Sequence, residues 1–229
     1  MNHSSTAHPF AVPAAQTNRV LRNAYMLLGI TLLPTIAGAF VGALFPLMAY
    51  AGWLSLIVFL GAMFGLQAMV IRNRESAAGI GWLLVFTFVM GYFVGPLVGY
   101  ALGSLRNGLE IVATAIGGTA AIFFILAGYA TTTKRNFASP SLFKMLFIGM
   151  VMAFVLGILN WFIGIPALSL AISSVFIVIA SGFILFTINN VVRGGEDNYI
   201  MVTMTLYIML LNIFQSLMHL LMMFAGNRE

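Results

Sequence analysis

The polar side chains with spacing suited to chemistry are concentrated in the last apolar stretch, Ile200 to Ala225. Thr205, Asn212, Gln215, Ser216 and His219 recur there at helical intervals and share one face. Thr187 and Asn190, on the preceding stretch, extend the same candidate polar centre. An imidazole titrates near neutrality, so His219 could sense pH, and a polar helix centre could gate an ion leak. A more economical reading makes His219 a neutral imidazole bonded to a neighbouring helix. Asn212 and Gln215 would likewise be interhelical hydrogen bonders, each contributing roughly 0.6 to 2 kcal/mol. In either case polar groups in hydrocarbon need partners, so this face is expected to look into protein or water. The last helix should then be central, with the earlier helices packed around it.

The acids argue against several chemistries. All five, Glu75, Glu110, Glu196, Asp197 and Glu229, lie in loops or at the ends of apolar stretches. Proton- and cation-coupled transporters usually hold a carboxylate within the membrane, and none is available here. No paired carboxylates, HExxH or GxSxG occur, so no enzyme is indicated. Cysteine is absent, which excludes disulfides, thiolate chemistry and cysteine metal sites. No cofactor is expected, and calcium finds no carboxylate set to bind it. Transport of a small neutral solute is left open by these absences.

The elements that must position these groups are membrane helices. The chain is 62% hydrophobic and 7% charged, with a mean hydropathy of +1.06. Soluble domains carry roughly 25% charged residues, so this is a polytopic membrane protein. Residues 1–22 read as a flexible tail, polar with Pro9 and Pro13 and closed by Arg19 and Arg22 at the membrane edge. Residues 23–229 form the membrane domain, with spans at about 24–46, 50–71, 79–101, 111–132, 142–164, 166–191 and 200–225. Only Ile163-Gly164-Ile165-Pro166 divides the fifth span from the sixth, but Asn160 and Pro166 favour a tight turn over one very long helix. The net charge of +5 resides in short loops, where it signals topology rather than nucleic-acid binding. An internal N-terminus places eight basic residues inside (Arg19, Arg22, Arg72, Arg74, Lys134, Arg135, Lys144, Arg193) and leaves Arg106 and Arg228 outside. That bias predicts a cytoplasmic N-terminus and a periplasmic C-terminus.

Glycines forecast how the helices meet. Gly91, Gly95, Gly99 and Gly103 recur every four residues in the third span, and Gly38 with Gly42 and Gly61 with Gly65 repeat the small-xxx-small spacing. Close packing explains them most simply. Gly95 and Pro96 are also a candidate hinge, because a proline within a helix frees a carbonyl that something must satisfy. In the loops, the Lys134-Arg135 pair is explained by topology, with a lipid-headgroup or partner contact as the second reading. Arg193 and Glu196 could pair at the mouth of the bundle, and Asn198 is a plausible N-cap for the seventh helix.

Several segments together carry a family resemblance. They are Val20-Leu21-Arg22-Asn23-Ala24-Tyr25, Gly91-Tyr92-Phe93-Val94-Gly95-Pro96, Gly117-Gly118-Thr119-Ala120, and Tyr129 through Arg135. Pro166 through Ser173, Gly194 through Ile200, Leu206-Tyr207 and Asn212-Ile213-Phe214 follow in order. The chain from Arg19 onward resembles the Bax inhibitor-1 (TMBIM) superfamily, most closely its proteobacterial YccA-like branch. The resemblance implies an all-α integral membrane protein, a seven-helix bundle with the last helix central. It implies two functions. One is a pH-sensitive calcium leak closed by an aspartate pair, whose positions correspond here to Thr187 and Met209, neither able to act as a carboxylate. The other is modulation of FtsH, a membrane ATP-dependent protease of the inner membrane, as a substrate that occupies and restrains it. The second needs only a stable bundle and a flexible tail that the protease can grip.

Overall fold

A computed structural model describes residues 14–47 and 50–226, and in these the chain forms seven α-helices and no strand. They are α1 (Ala14–Leu44), α2 (Trp53–Arg72), α3 (Ala77–Ser104), α4 (Gly108–Thr132), α5 (Pro140–Ile163), α6 (Pro166–Val192) and α7 (Tyr199–Gly226). All seven are long and apolar enough to cross a membrane. Helix α7 packs against α1, α2, α3, α4 and α6, and so is the centre of the bundle. Helices α2 and α5 are peripheral, leaning chiefly on α3 and α6 respectively.

Six of the seven helices begin and end close to where apolarity places them. Helix α1 differs, because it begins at Ala14 and takes in residues 14–22, the end of the stretch read as a flexible tail. Ala14, Ala15 and Gln16 favour helix, and a helix once started extends easily past the bilayer. At about 1.5 Å per residue its 31 residues reach roughly 46 Å, well beyond a hydrocarbon core of about 30 Å. The remainder of the proposed tail, residues 1–13, lies outside the described residues.

The narrow division between the fifth and sixth spans is a turn built by its own residues. Helix α5 starts with Ser139 as N-cap, its hydroxyl accepting from the Leu142 amide at 3.3 Å, and Pro140 follows. It ends on Gly164, left-handed at φ 73°, and Pro166 starts α6. Asn160 holds the corner, accepting from the Ile165 amide (3.1 Å) and donating to the Ser169 hydroxyl (2.6 Å).

The most extensive interface joins α1 to α3, and glycine makes it possible. A Cβ on Gly38 or Gly42 would run into the backbone carbonyls of Phe88 and Tyr92, and one on Gly91 into that of Thr35. At Gly95 it would lie 2.5 Å from the Ala39 carbonyl oxygen and 2.6 Å from the Ala43 nitrogen. The two backbones therefore touch directly, glycine to carbonyl in both directions. Pro96 removes the hydrogen bond to the carbonyl four residues back, that of Tyr92, and Gly42 lies against that oxygen. The Tyr92 side chain reaches the same helix, its hydroxyl donating to the Phe45 carbonyl at 3.1 Å. Gly95 and Pro96 thus sit inside a backbone lock. Gly61 and Gly65 do not repeat it: they are exposed on α2, and a Cβ at either would meet nothing within 4 Å.

Candidate functional site

Two clusters of polar contacts organise the bundle. The first is at the junction of α1, α3 and α7. Tyr207, 2% exposed, donates its hydroxyl proton to the Thr87 carbonyl at 3.1 Å, and Thr35 Oγ1 lies 3.0 Å away as a donor to it. The Phe86 ring stands edge-on to Tyr207 at 5.9 Å. One turn earlier the buried Thr203 hydroxyl reaches the carbonyls of Tyr199 (2.7 Å) and, on α1, Ala24 (3.2 Å). These groups hydrogen-bond to one another and to neighbouring carbonyls, as polar groups in a bilayer must.

The polar stripe nominated from spacing does not form this junction. Thr205, Asn212 and Gln215 are half-buried and His219 is exposed, so the stripe occupies the least buried side of α7. Of the five stripe residues Ser216 alone is buried. Asn212 donates to the Ile208 carbonyl of its own helix at 2.8 Å instead of bridging to another. α7 turns its apolar groups, among them Leu206, Ile213 and Met218, toward the neighbouring helices and buries them fully. Tyr207, whose ring is mostly apolar surface, goes with them. Thr187 and Met209 are both buried on α6 and α7, which pack together.

The second cluster ties the loops at the end of the bundle that carries most basic residues. Asn189, 1% exposed, is its hub. Its amide donates to the Ala130 carbonyl at the end of α4 (3.2 Å), and its oxygen accepts from the Phe137 amide and from Arg193 Nε, both at 2.9 Å. Arg193 Nη2 donates to the carbonyls of Lys134 (3.0 Å) and Arg135 (2.8 Å). Lys134, Arg135 and Arg193 are thus brought together through the loop backbone. Glu196 is not part of this: it accepts from the Asn198 amide at 3.0 Å, so the Arg193–Glu196 pair does not form. Five donors on a planar guanidinium suit a pair of converging carbonyls, and those are the partners it takes. Asn190, the neighbour that spacing nominated, abuts Gly195, and Asn189 was missed. The adjacent amides gave the signal, but only packing distinguishes them.

Asn198 caps α7 as its type suggests, accepting from the amides of Ile200 (3.0 Å) and Met201 (3.1 Å). It also donates to the Arg74 carbonyl at 2.9 Å, tying the α2–α3 loop to the start of α7. A cleft of about 580 Å³ opens between these loops, lined by Arg74, Glu75, Ser76, Glu196, Asp197 and Asn198 among others. Among the described residues the ion pair recorded is Arg74–Glu75 at 3.9 Å, on the surface, and no three metal-ligating side chains converge. What these clusters accomplish is the mutual fastening of helices and loops.

A family model described as Inhibitor of apoptosis-promoting Bax1 matches residues 17–226. The chain belongs to the Bax inhibitor-1 family. Among relatives in the family, a protein of Escherichia coli K12 named Modulator of FtsH protease YccA is 38% identical over 205 residues, 90% of each chain. An uncharacterized protein of Neisseria meningitidis is 35% identical over 96% of this chain and 97% of its own. An uncharacterized membrane protein of Vibrio cholerae is 34% identical over 93% and 92%. The family match takes in α1 from residue 17 and all of α2 to α7, so the bundle with α7 at its centre is the Bax inhibitor-like fold, and the chain is a multi-pass membrane protein.

Proposed function

We propose that this protein is a non-enzymatic inner-membrane modulator of the protease FtsH, acting as a substrate that engages the protease and resists extraction. The observation that carries the reading is the 38% identity, over nine-tenths of both chains, to a relative named for that role. A relative from another Escherichia coli strain is named an inner membrane protein. The bundle is mechanically suited to the task. A protease pulling from a cytoplasmic N-terminus meets α1 first, and α1 has its glycines seated against the α3 backbone. Residues 1–13 precede that helix and supply the grip.

The test is gentle detergent extraction from native membranes and identification of what co-purifies. The full chain should bring FtsH with it. Deleting residues 2–13, which leaves α1 whole, should weaken that recovery, slow cellular turnover and relieve inhibition of the protease. A preparation free of FtsH, or turnover unchanged by the deletion, would refute the reading.

A further inference from the structure

Helices α4 and α5 follow one another in the chain, and both pack on α6, yet they scarcely touch each other. The loop between them crosses α6 at Asn189, which holds Ala130 on the α4 side and Phe137 on the α5 side. Ala171 lies 18 residues before Asn189 and Val178 lies 11 before it, so at 100° per residue all three point the same way. Just below the crossing Leu146 of α5 lies beside Gly182 on this face, and nearer the middle of the membrane the face is uncovered: Val178 is 70% exposed and Val175 46%. The result is an apolar groove with α6 as floor and the α4–α5 loop as its head. Val178 lies about 16 Å along α6 from Asn189, close to half of a hydrocarbon core of about 30 Å. The groove is one leaflet deep.

The head of the groove is cationic and uncompensated. Lys134 and Arg135 in the loop and Lys144 on the second turn of α5 are exposed, and none forms an ion pair among the described residues. Arg193 turns its own charge to the loop carbonyls. Glu75, Glu196 and Asp197, from the same end of the bundle, line the separate cleft near α2 and α7. The loop is also preorganised, because Asn189 and Arg193 hold its backbone and leave the Lys134 and Arg135 side chains free. We propose that this groove binds an anionic glycerophospholipid, its phosphate at Lys134, Arg135 and Lys144 and one acyl chain along Val175 and Val178. Charge selects the headgroup and the groove selects a lipid over a soluble anion.

The experiment is native mass spectrometry of the full chain in neutral-detergent micelles with equimolar dioleoyl phosphatidylglycerol and dioleoyl phosphatidylcholine. Each basic side chain near an anionic lipid contributes roughly a fivefold preference. Phosphatidylglycerol should therefore be retained at least about tenfold over phosphatidylcholine, and the K134Q/R135Q/K144Q variant should fall below about threefold. Its Tm should hold, since the loop is fastened through its backbone. Val178→Trp, at an exposed position, should lower retained phosphatidylglycerol at least about threefold by filling the groove, with the charges intact. Equal retention of the two lipids, an undiminished preference in the triple variant, or undiminished retention in Val178→Trp would each overturn the proposal. So would displacement of the lipid by inorganic phosphate at equal concentration.

Discussion

The α1–α3 lock makes a prediction in which two glycine pairs of the same spacing respond with opposite sign. In Gly95→Ala the new methyl would lie 2.5 Å from the Ala39 carbonyl oxygen and 2.6 Å from both the Ala43 nitrogen and the Gly42 carbonyl carbon. All three are backbone atoms, so no side chain can swing aside, and the helices must separate by roughly 1 Å to restore contacts of about 3.5 Å. Overpacking of this kind costs about 1–3 kcal/mol, and the separation also loosens the neighbouring contacts at Gly42 and Gly91. With about 3 kcal/mol lost, and about 1 kcal/mol regained because alanine is the better helix former, the net cost is about 2 kcal/mol. Gly61→Ala meets nothing within 4 Å, so only the propensity gain of about 1 kcal/mol remains. Thermal unfolding in dodecylmaltoside, followed by tryptophan fluorescence, reads both. Gly95→Ala should lower Tm by roughly 4–8 °C, while Gly61→Ala should leave it unchanged or raise it by roughly 2–4 °C. A Gly95→Ala protein within about 1 °C of the parent, or a Gly61→Ala protein destabilised as much as Gly95→Ala, would refute the reasoning.

Asn189→Ala strands the Phe137 amide and the Ala130 carbonyl and should cost about 2–4 kcal/mol, with faster tryptic cleavage after Lys134 and Arg135, whereas Asn190→Ala should stay within about 0.5 kcal/mol. Equal protease sensitivity of the two variants would show that Asn189 is not the hub. Tyr207→Phe keeps the ring and loses the hydroxyl shared with Thr35 and Thr87, a loss of about 0.6–2 kcal/mol in chemical denaturation. Combined with Thr35→Val the losses should be non-additive, and strict additivity would mean that the two hydroxyls do not interact.

What could be read from the residues is whatever depends on local order. Apolar length identified seven spans, because a bilayer demands about 20 apolar residues in a helix whatever its neighbours are. Asn160 and Pro166 marked the α5–α6 corner and Asn198 marked the start of α7, because turns and caps are satisfied by residues adjacent in the chain. The start of α1 was misjudged because polarity marks where the membrane ends, and a helix need not end there.

Tertiary structure decided everything that depends on azimuth. Helical spacing establishes that Thr205, Asn212, Gln215 and His219 share a face, but only the packing of α7 against five helices turned that face outward and Tyr207 inward. Gly42 and Gly61 have the same spacing pattern, yet one lies against the Tyr92 carbonyl and the other faces open space, because only one has a neighbouring backbone to approach. Asn189 and Asn190 differ by 100° of rotation, which makes one a buried hub and the other a loop contact. Arg193 chose two carbonyls over Glu196 because the folded loop presents them together. Periodicity orders the groups along and around each helix. The partners that give a group its role come from the other helices, and only the assembled bundle supplies them.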